Sequence, residues 1–265
     1  MSRVEQVFAK GKALIPFITA GDPDLKTTEQ LILAMAKAGA DLIELGIPFS
    51  DPVAEGPVIQ LASERALQAG ATTDKILALV SRVRKESDVP MAFMTYINPV
   101  FAYGIDRFMQ DSREAGVDAL IIPDLPFEER EEIIPYCSQY GIELISMIAP
   151  TSQERIKMIA REARGFVYCV SSLGVTGVRE QISTELDKMV KMVKEVQDIP
   201  CAVGFGISSP EQAQQISQTA DGVIVGSAIM QIVEQFGVES VSPVAAFVRE
   251  MKQSIITAGV EEPVQ

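Results

Sequence analysis

Glu44 is the one charge inside an apolar run, Leu42-Ile43-Glu44-Leu45-Gly46. A carboxylate there either pairs with a nearby Lys or Arg or sits in a partly apolar cavity. In the second case its proton affinity rises, and it can exchange a proton near neutral pH. The loop that follows, from Ile47 to Pro57, is rich in Pro and carries two more carboxylates, Asp51 and Glu55. Acids framed by Gly56-Pro57 beside a strand-end Glu form a constellation for general acid–base work. Glycine-bearing turns offer a second chemistry. Gly204-Phe205-Gly206-Ile207-Ser208-Ser209-Pro210 leads from an apolar run into a helix start, with Ser209 as cap, Pro210 first in the helix and Gln212 at capping-box spacing. Gly226-Ser227-Ala228 repeats the pattern after Gly222-Val223-Ile224-Val225. Helix-terminal amides approached through glycine bind phosphate. The Leu173–Arg179 segment, with Gly174 and Gly177 around Val175-Thr176, reads as a third phosphate contributor, a lid or a plain surface loop. Tyr96 and Tyr168 lie on apolar runs, where each hydroxyl faces either a site or the core.

Composition limits what these groups can do. The chain of 265 residues contains no histidine. That excludes Ser-His-Asp and Cys-His nucleophiles, His-ligated zinc and phosphohistidine chemistry. Acid–base work falls to carboxylates, Tyr, Lys or Cys. Cys137, Cys169 and Cys201 are widely spaced and form no metal or redox motif, and no Asp-x-Asp spacing suggests a metal site. A net charge of −13 argues against a nucleic-acid binder but leaves room for a small anionic substrate. No run approaches the ~18 to 20 apolar residues of a membrane span, and no targeting segment is apparent, so a cytoplasmic protein is expected.

The elements that must hold these residues are strands and helices in alternation. Apolar runs at Leu14–Thr19, Leu42–Leu45, Met91–Tyr96, Ala119–Pro123, Glu143–Ala149, Phe166–Ser171, Ala202–Phe205 and Val223–Gly226 read as strands covered on both faces. Between them, Leu31, Ala34, Met35, Ala38 and Ile76, Leu79, Val80, Val83 fall at helical spacing, as do Leu186, Met189, Val190, Val193 and Val244, Phe247, Val248, Met251. Gly39 and Gly116 stand where helices end before a strand. The pattern predicts an α/β fold, a (β/α)8 TIM barrel forming a single domain over residues 1–265, with extra helical turns at Arg3–Ala9 and Pro57–Gln68. A doubly wound open sheet is the alternative. In such a barrel the site lies at the carboxyl ends of the strands, with phosphate held after strands seven and eight.

These motifs resemble those of the tryptophan synthase alpha subunit family over essentially the full length. The matching segments are Pro16–Asp24, Asp41–Gln60, Met94–Val100, Pro123–Glu129, Ser171–Arg179, Val203–Gln212 and Val225–Ile229. The resemblance implies aldol cleavage of indole-3-glycerol phosphate to indole and glyceraldehyde 3-phosphate. It also implies that indole passes to a beta subunit within an alpha-beta-beta-alpha heterotetramer. It implies no cofactor in this chain and pyridoxal phosphate in the partner. By position, Glu44 matches the general acid/base and Tyr168 a tyrosine lining the site. Glu55 falls where the family carries Asp, one methylene shorter. Phe17, Tyr96, Ile121, Ile148 and Phe205 match the indole pocket; Gly177, Gly206, Gly226 and Ser227 match the phosphate site. Asp51 and Thr176 match the segments that close over the site and face the partner. Two other readings compete. One is another phosphate-binding barrel enzyme, such as an isomerase, against which Glu44 and the Pro48–Pro52 loop argue. The other is a subunit whose lyase is weakened by Glu55 and which mainly activates its partner.

Overall fold

The computed structural model describes residues 2–150, 152–170, 179–204 and 206–257. Nine strand segments pair in parallel in the order β5-β4-β3-β2-β1-β9-β8-β7-β6. They are β1 (Ala13–Thr19), β2 (Ile43–Gly46), β3 (Met91–Met94), β4 (Ala119–Ile121), β5 (Glu143–Leu144), β6 (Ser146–Ile148), β7 (Val167–Val170), β8 (Cys201–Gly204) and β9 (Gly222–Val225). β5 and β6 are one stave interrupted at Ile145, whose amide bonds the Leu120 carbonyl at 2.9 Å. The first part pairs with β4 and the second with β7, so the ring closes. The expected barrel stands, and the open sheet does not.

Among the described residues twelve α-helices surround the staves: α1 (Arg3–Phe8), α2 (Leu25–Ala38), α3 (Pro57–Gln68), α4 (Thr73–Val83), α5 (Ile97–Tyr103), α6 (Ile105–Ala115), α7 (Ile134–Tyr140), α8 (Gln153–Glu162), α9 (Arg179–Lys194), α10 (Pro210–Ser217), α11 (Ser227–Phe236) and α12 (Val241–Thr257). The turns at Gly39 and Gly116 close α2 and α6 in the left-handed region, at φ 108° and 96°, where a side chain is disfavoured.

Strand alternation sorts the core into two layers. Ala13, Ile15, Leu42, Ala92, Ala119, Ile121, Ile145, Phe166, Tyr168, Ala202 and Ile224 fill the barrel interior, and Val4 and Val7 of α1 plug its amino-terminal end. Leu14, Ile18, Ile43, Leu45 and Phe93 face the other way, toward the helices. Three aspartates, each at a strand entry, tie the amino-terminal end together. Asp41 Oδ2 accepts from the Leu14 amide at 2.7 Å and Lys252 Nζ at 2.6 Å. Asp118 Oδ2 does the same for Met91 and Arg84 at 3.0 Å each. Asp221 Oδ2 takes the Cys201 amide at 2.9 Å and Lys194 at 3.0 Å. At the carboxyl-terminal end aspartates in the loops after β1 and β4 do similar work: Asp22 meets Arg65 at 2.8 Å and Asp124 accepts the Ile97 amide at 3.0 Å.

Candidate active site

Glu44 lies on β2 in register with Phe17 of β1 and Ala92 of β3, on the parity that faces the barrel interior. It is 1% exposed, and neither carboxyl oxygen has a hydrogen-bond partner. Among the described residues no Lys or Arg pairs with it. Burial and the neighbouring Glu55 raise its pKa to about 8, so the carboxyl is mainly protonated at neutral pH.

Glu55 reaches the same region from the loop between β2 and α3. The loop leaves β2 with the Ile47 amide bonded to the Met94 carbonyl at 2.8 Å, and it ends at Gly56, the cap of α3, with Pro57 at the first helical position. Gln60 Nε2 donates to the Glu55 carbonyl at 2.8 Å, which fixes the backbone from which the side chain departs. Burial raises the Glu55 pKa, and a hydrogen bond from the Tyr96 hydroxyl opposes that shift. The Tyr96 oxygen also accepts the Ala54 amide at 3.3 Å. Its ring packs on Phe49 at 5.4 Å between centroids. Asp124 Oδ1 accepts the Ile97 amide at 3.0 Å and so holds the turn that carries Tyr96.

Tyr168 of β7 faces the interior between Met147 and Ala202. Burial and the Glu44 charge push its phenol pKa well up, so it stays a neutral hydroxyl. A Cβ at Gly204 would lie 2.5 Å from the Tyr168 oxygen, so glycine there makes the room for it. Phe17 uses glycine in the same way. A Cβ at Gly46 would lie 2.7 Å from its ring and one at Gly226 3.3 Å, so the ring spans from β2 to the turn after β9.

The two candidate phosphate turns differ. In α10 the Ser209 hydroxyl accepts the Gln212 amide at 3.3 Å, and the Gln212 side chain accepts the Ser208 amide at 2.8 Å. The reciprocal half of the expected capping box thus lands one residue earlier than its spacing predicts. Gly206 precedes this start at φ 77° and is exposed. The start of α11 has no side-chain cap: Gly226 is its cap residue, and exposed Ser227 opens it. Amides there are open to an anion.

Asp51 is exposed and accepts from the Ser50 hydroxyl. Ile121 faces the interior, whereas Ile148 packs with Ile156 and Ile159 in the layer under α8. Ile148 also lines, with Pro123 and Met147, a cavity of about 450 Å³ that reaches Ala54. Phe205, Thr176 and Gly177 lie outside the described residues. Sequence reading passed over Gly46, Gly204 and Asp124, although each stands inside or beside a motif already singled out. The signal for the two glycines is a residue without a side chain on an inward-facing strand position. Among the described residues no group of three acids or cysteines could hold a metal ion.

Comparison with known proteins decides the family. The sequence profile for the tryptophan synthase alpha chain matches residues 5–256. The chain belongs to the tryptophan synthase alpha chain family. It is 48% identical over 260 residues to the alpha chain of Thermoanaerobacter sp. (strain X514), covering 96% of this chain and 99% of that one. It is 49% identical over 266 residues to that of Geotalea uraniireducens, covering 98% and 100%. The crystal structure of tryptophan synthase subunit alpha from Legionella pneumophila superposes with a TM-score of 0.88 at 39% identity, over 97% of this chain and 99% of that one. A tryptophan synthase structure from M. tuberculosis, in an aminoacrylate-bound form, gives 0.85 at 34% identity, over 96% of this chain and 100% of that one. As a member of the tryptophan synthase alpha chain family, the chain is a carbon–carbon lyase that cleaves indole-3-glycerol phosphate to indole and glyceraldehyde 3-phosphate.

Proposed function

We propose that Glu44 carries both proton transfers of this cleavage. The observation that supports it is a carboxyl buried without a partner, with its pKa raised to about 8. Such a group is a neutral acid at working pH and a competent base once ionised. In its acid form it donates a proton to indole C3, and positive charge develops on the ring nitrogen. As a carboxylate it then removes the proton of the hydroxyl on the adjacent side-chain carbon. The C–C bond breaks, its electron pair returns to the indole ring, and the hydroxyl carbon becomes the aldehyde of glyceraldehyde 3-phosphate. Glu44 ends protonated, as it began.

Glu55 accepts the ring N–H and offsets the charge that forms there. Its closeness to Glu44 and the Tyr96 hydroxyl bound to it support that role. Tyr168 donates its hydroxyl beside Glu44, and Phe17, Tyr96, Ile121 and Phe205 wall the indole, while Ile148 faces the helix layer behind that wall. The uncapped start of α11 at Gly226 and Ser227, with Gly206 and Gly177, binds the phosphate, which holds the substrate in register for the cleavage. Asp51 and Thr176 belong to the segments that close over the site and face the partner.

The alpha-chain role further implies a beta subunit that takes up the indole. We assign the alpha-beta-beta-alpha arrangement to the assembly and pyridoxal phosphate to the beta subunit, with no cofactor in this chain. The 265 residues act as one domain in the cytoplasm. No helix among the described residues is long and apolar enough to cross a membrane. The test is Glu44→Gln, which keeps the volume and loses the transferable proton. The folded variant should release no indole from indole-3-glycerol phosphate, with or without a beta subunit. Substantial residual cleavage would move the proton transfers to another group.

A further inference from the structure

Thr19 ends β1 beside Gly46 of β2. Alternation from Ala13 and Ile15, which line the barrel interior, through Phe17 puts Thr19 on the inward parity; Leu14 and Ile18 face the helices. The residue is 1% exposed, and its hydroxyl has no hydrogen-bond partner. A buried, unpaired hydroxyl is costly and calls for an explanation. Its position supplies one. β1 stands between β2, which carries Glu44, and β9, which leads to Gly226. Phe17, two residues earlier on the same face, spans those two strands, with its ring against Gly46 and Gly226. Thr19 therefore lies one step nearer the carboxyl end of the barrel, between the proton-transfer group and the phosphate turn. The part of the substrate that must cross that interval is the hydroxylated chain joining indole to phosphate.

We propose that the Thr19 hydroxyl is a substrate-binding group that hydrogen-bonds the hydroxylated three-carbon chain. The proposal rests on the placement of indole at Glu44 and phosphate at Gly226 given above. A threonine hydroxyl offers one donor and two acceptor sites, which suits a neutral polyol oxygen. The bond is made only when substrate is present, so the free enzyme keeps the hydroxyl unsatisfied.

The test compares Thr19→Val, Thr19→Ser and Thr95→Val. Thr95 is the internal control. Its hydroxyl is also buried without a partner, but it follows Phe93 on the parity that faces the helices. Both valine variants remove an orphan hydroxyl at nearly constant volume, so each melting midpoint should hold or rise by about 2 to 4 °C. Only Thr19→Val should lower kcat/KM for indole-3-glycerol phosphate, by about five- to tenfold. Thr19→Ser should recover most of that loss. Binding of inorganic phosphate and of indole, neither of which carries the polyol, should be equal in Thr19→Val and the parent. A folded Thr19→Val with the parent's kcat/KM would overturn the proposal, as would a loss shared equally by inorganic phosphate binding. Glu44→Gln separates the two layers of argument. If it stays active, the whole site placement fails; if it is inactive while Thr19→Val is unaffected, only the Thr19 assignment fails.

Discussion

Single side chains set Glu44 and Glu55 apart. Among the described residues the Glu44 carboxyl has no hydrogen-bond partner, and burial favours its neutral form. Glu55 has Tyr96, whose hydroxyl opposes the effect of burial and favours the ionised form. Environment therefore pushes the two groups toward different duties. The Glu55 side chain is one methylene longer than the Asp that the family resemblance places there, and its backbone carbonyl accepts from Gln60. A charge-assisted hydrogen bond to the ring N–H is worth roughly 1.5 to 3 kcal/mol. Glu55→Ala should then slow indole release by about one to two powers of ten. Glu55→Asp should keep much of the activity or improve it, and Glu55→Gln should resemble Ala. An Ala variant as fast as the parent would reduce Glu55 to a solvated loop acid. Tyr96→Phe should raise the Glu55 pKa further, because the hydrogen bond it removes is the one that lowers it. The acid limb of the pH–rate profile should therefore move to higher pH, and an unmoved limb would dissociate Tyr96 from Glu55.

At the scale of elements, α3 follows the Glu55 loop, α11 opens at Gly226, and Arg65 joins the two helices. Its Nε and Nη2 meet the carboxylate of Asp22 at 2.9 and 2.8 Å, while Nη1 reaches Glu234 of α11 at 3.2 Å. Asp22 is 1% exposed, so Arg65→Met strands a buried anion, and roughly 3 kcal/mol of stability should be lost. Denaturant titration reads that directly; a shift under 1 kcal/mol would mean that the Asp22 charge is met from elsewhere. At the start of α11, Gly226 is needed for space rather than for backbone freedom, since its φ is −120°. Gly226→Val would drive its side chain against Phe17, so KM for the phosphate substrate should rise strongly. Parent-like binding of inorganic phosphate by that variant would place the anion elsewhere. Much of this was legible in the sequence. Unbroken apolar runs announced staves buried on both faces, and Gly39 and Gly116 marked the helix ends. Interruption of the fifth stave at Ile145 was not legible, because it follows from a change of pairing partner between β4 and β7. Nor was the outward direction of Ile148, since a one-residue step in parity turns a side chain from barrel to helix layer. The Arg65 clamp joins positions too far apart in sequence for any local spacing to signal it.

For the molecule as a whole, stability and catalysis pull in opposite directions at the barrel centre. The chain carries a net charge of −13, and its amino-terminal end places partly buried aspartates in structural clamps to Lys252, Arg84 and Lys194. At the carboxyl end an acid is buried with no cation to meet it. Its folded pKa, about 8, lies above the ordinary 4.5. Between those values the folded state holds a proton that the unfolded chain has released. Stability contributed by this group is thus fully present below about pH 4.5 and falls as pH rises toward 8, at up to about 1.4 kcal/mol per unit. Glutamine cannot ionise, so Glu44→Gln should be more stable than the parent. Its advantage should be smallest in mild acid and widen up to about pH 8, where it levels off as Glu44 ionises in the folded protein. The same ionisation removes the acid proposed to protonate indole C3, so kcat of the parent should decline above about pH 8. Urea midpoints of parent and Glu44→Gln from pH 5 to 9, beside the parent's pH–rate profile, measure both effects. Parallel stability curves would show that Glu44 titrates normally, and the alkaline limb would then belong to another group.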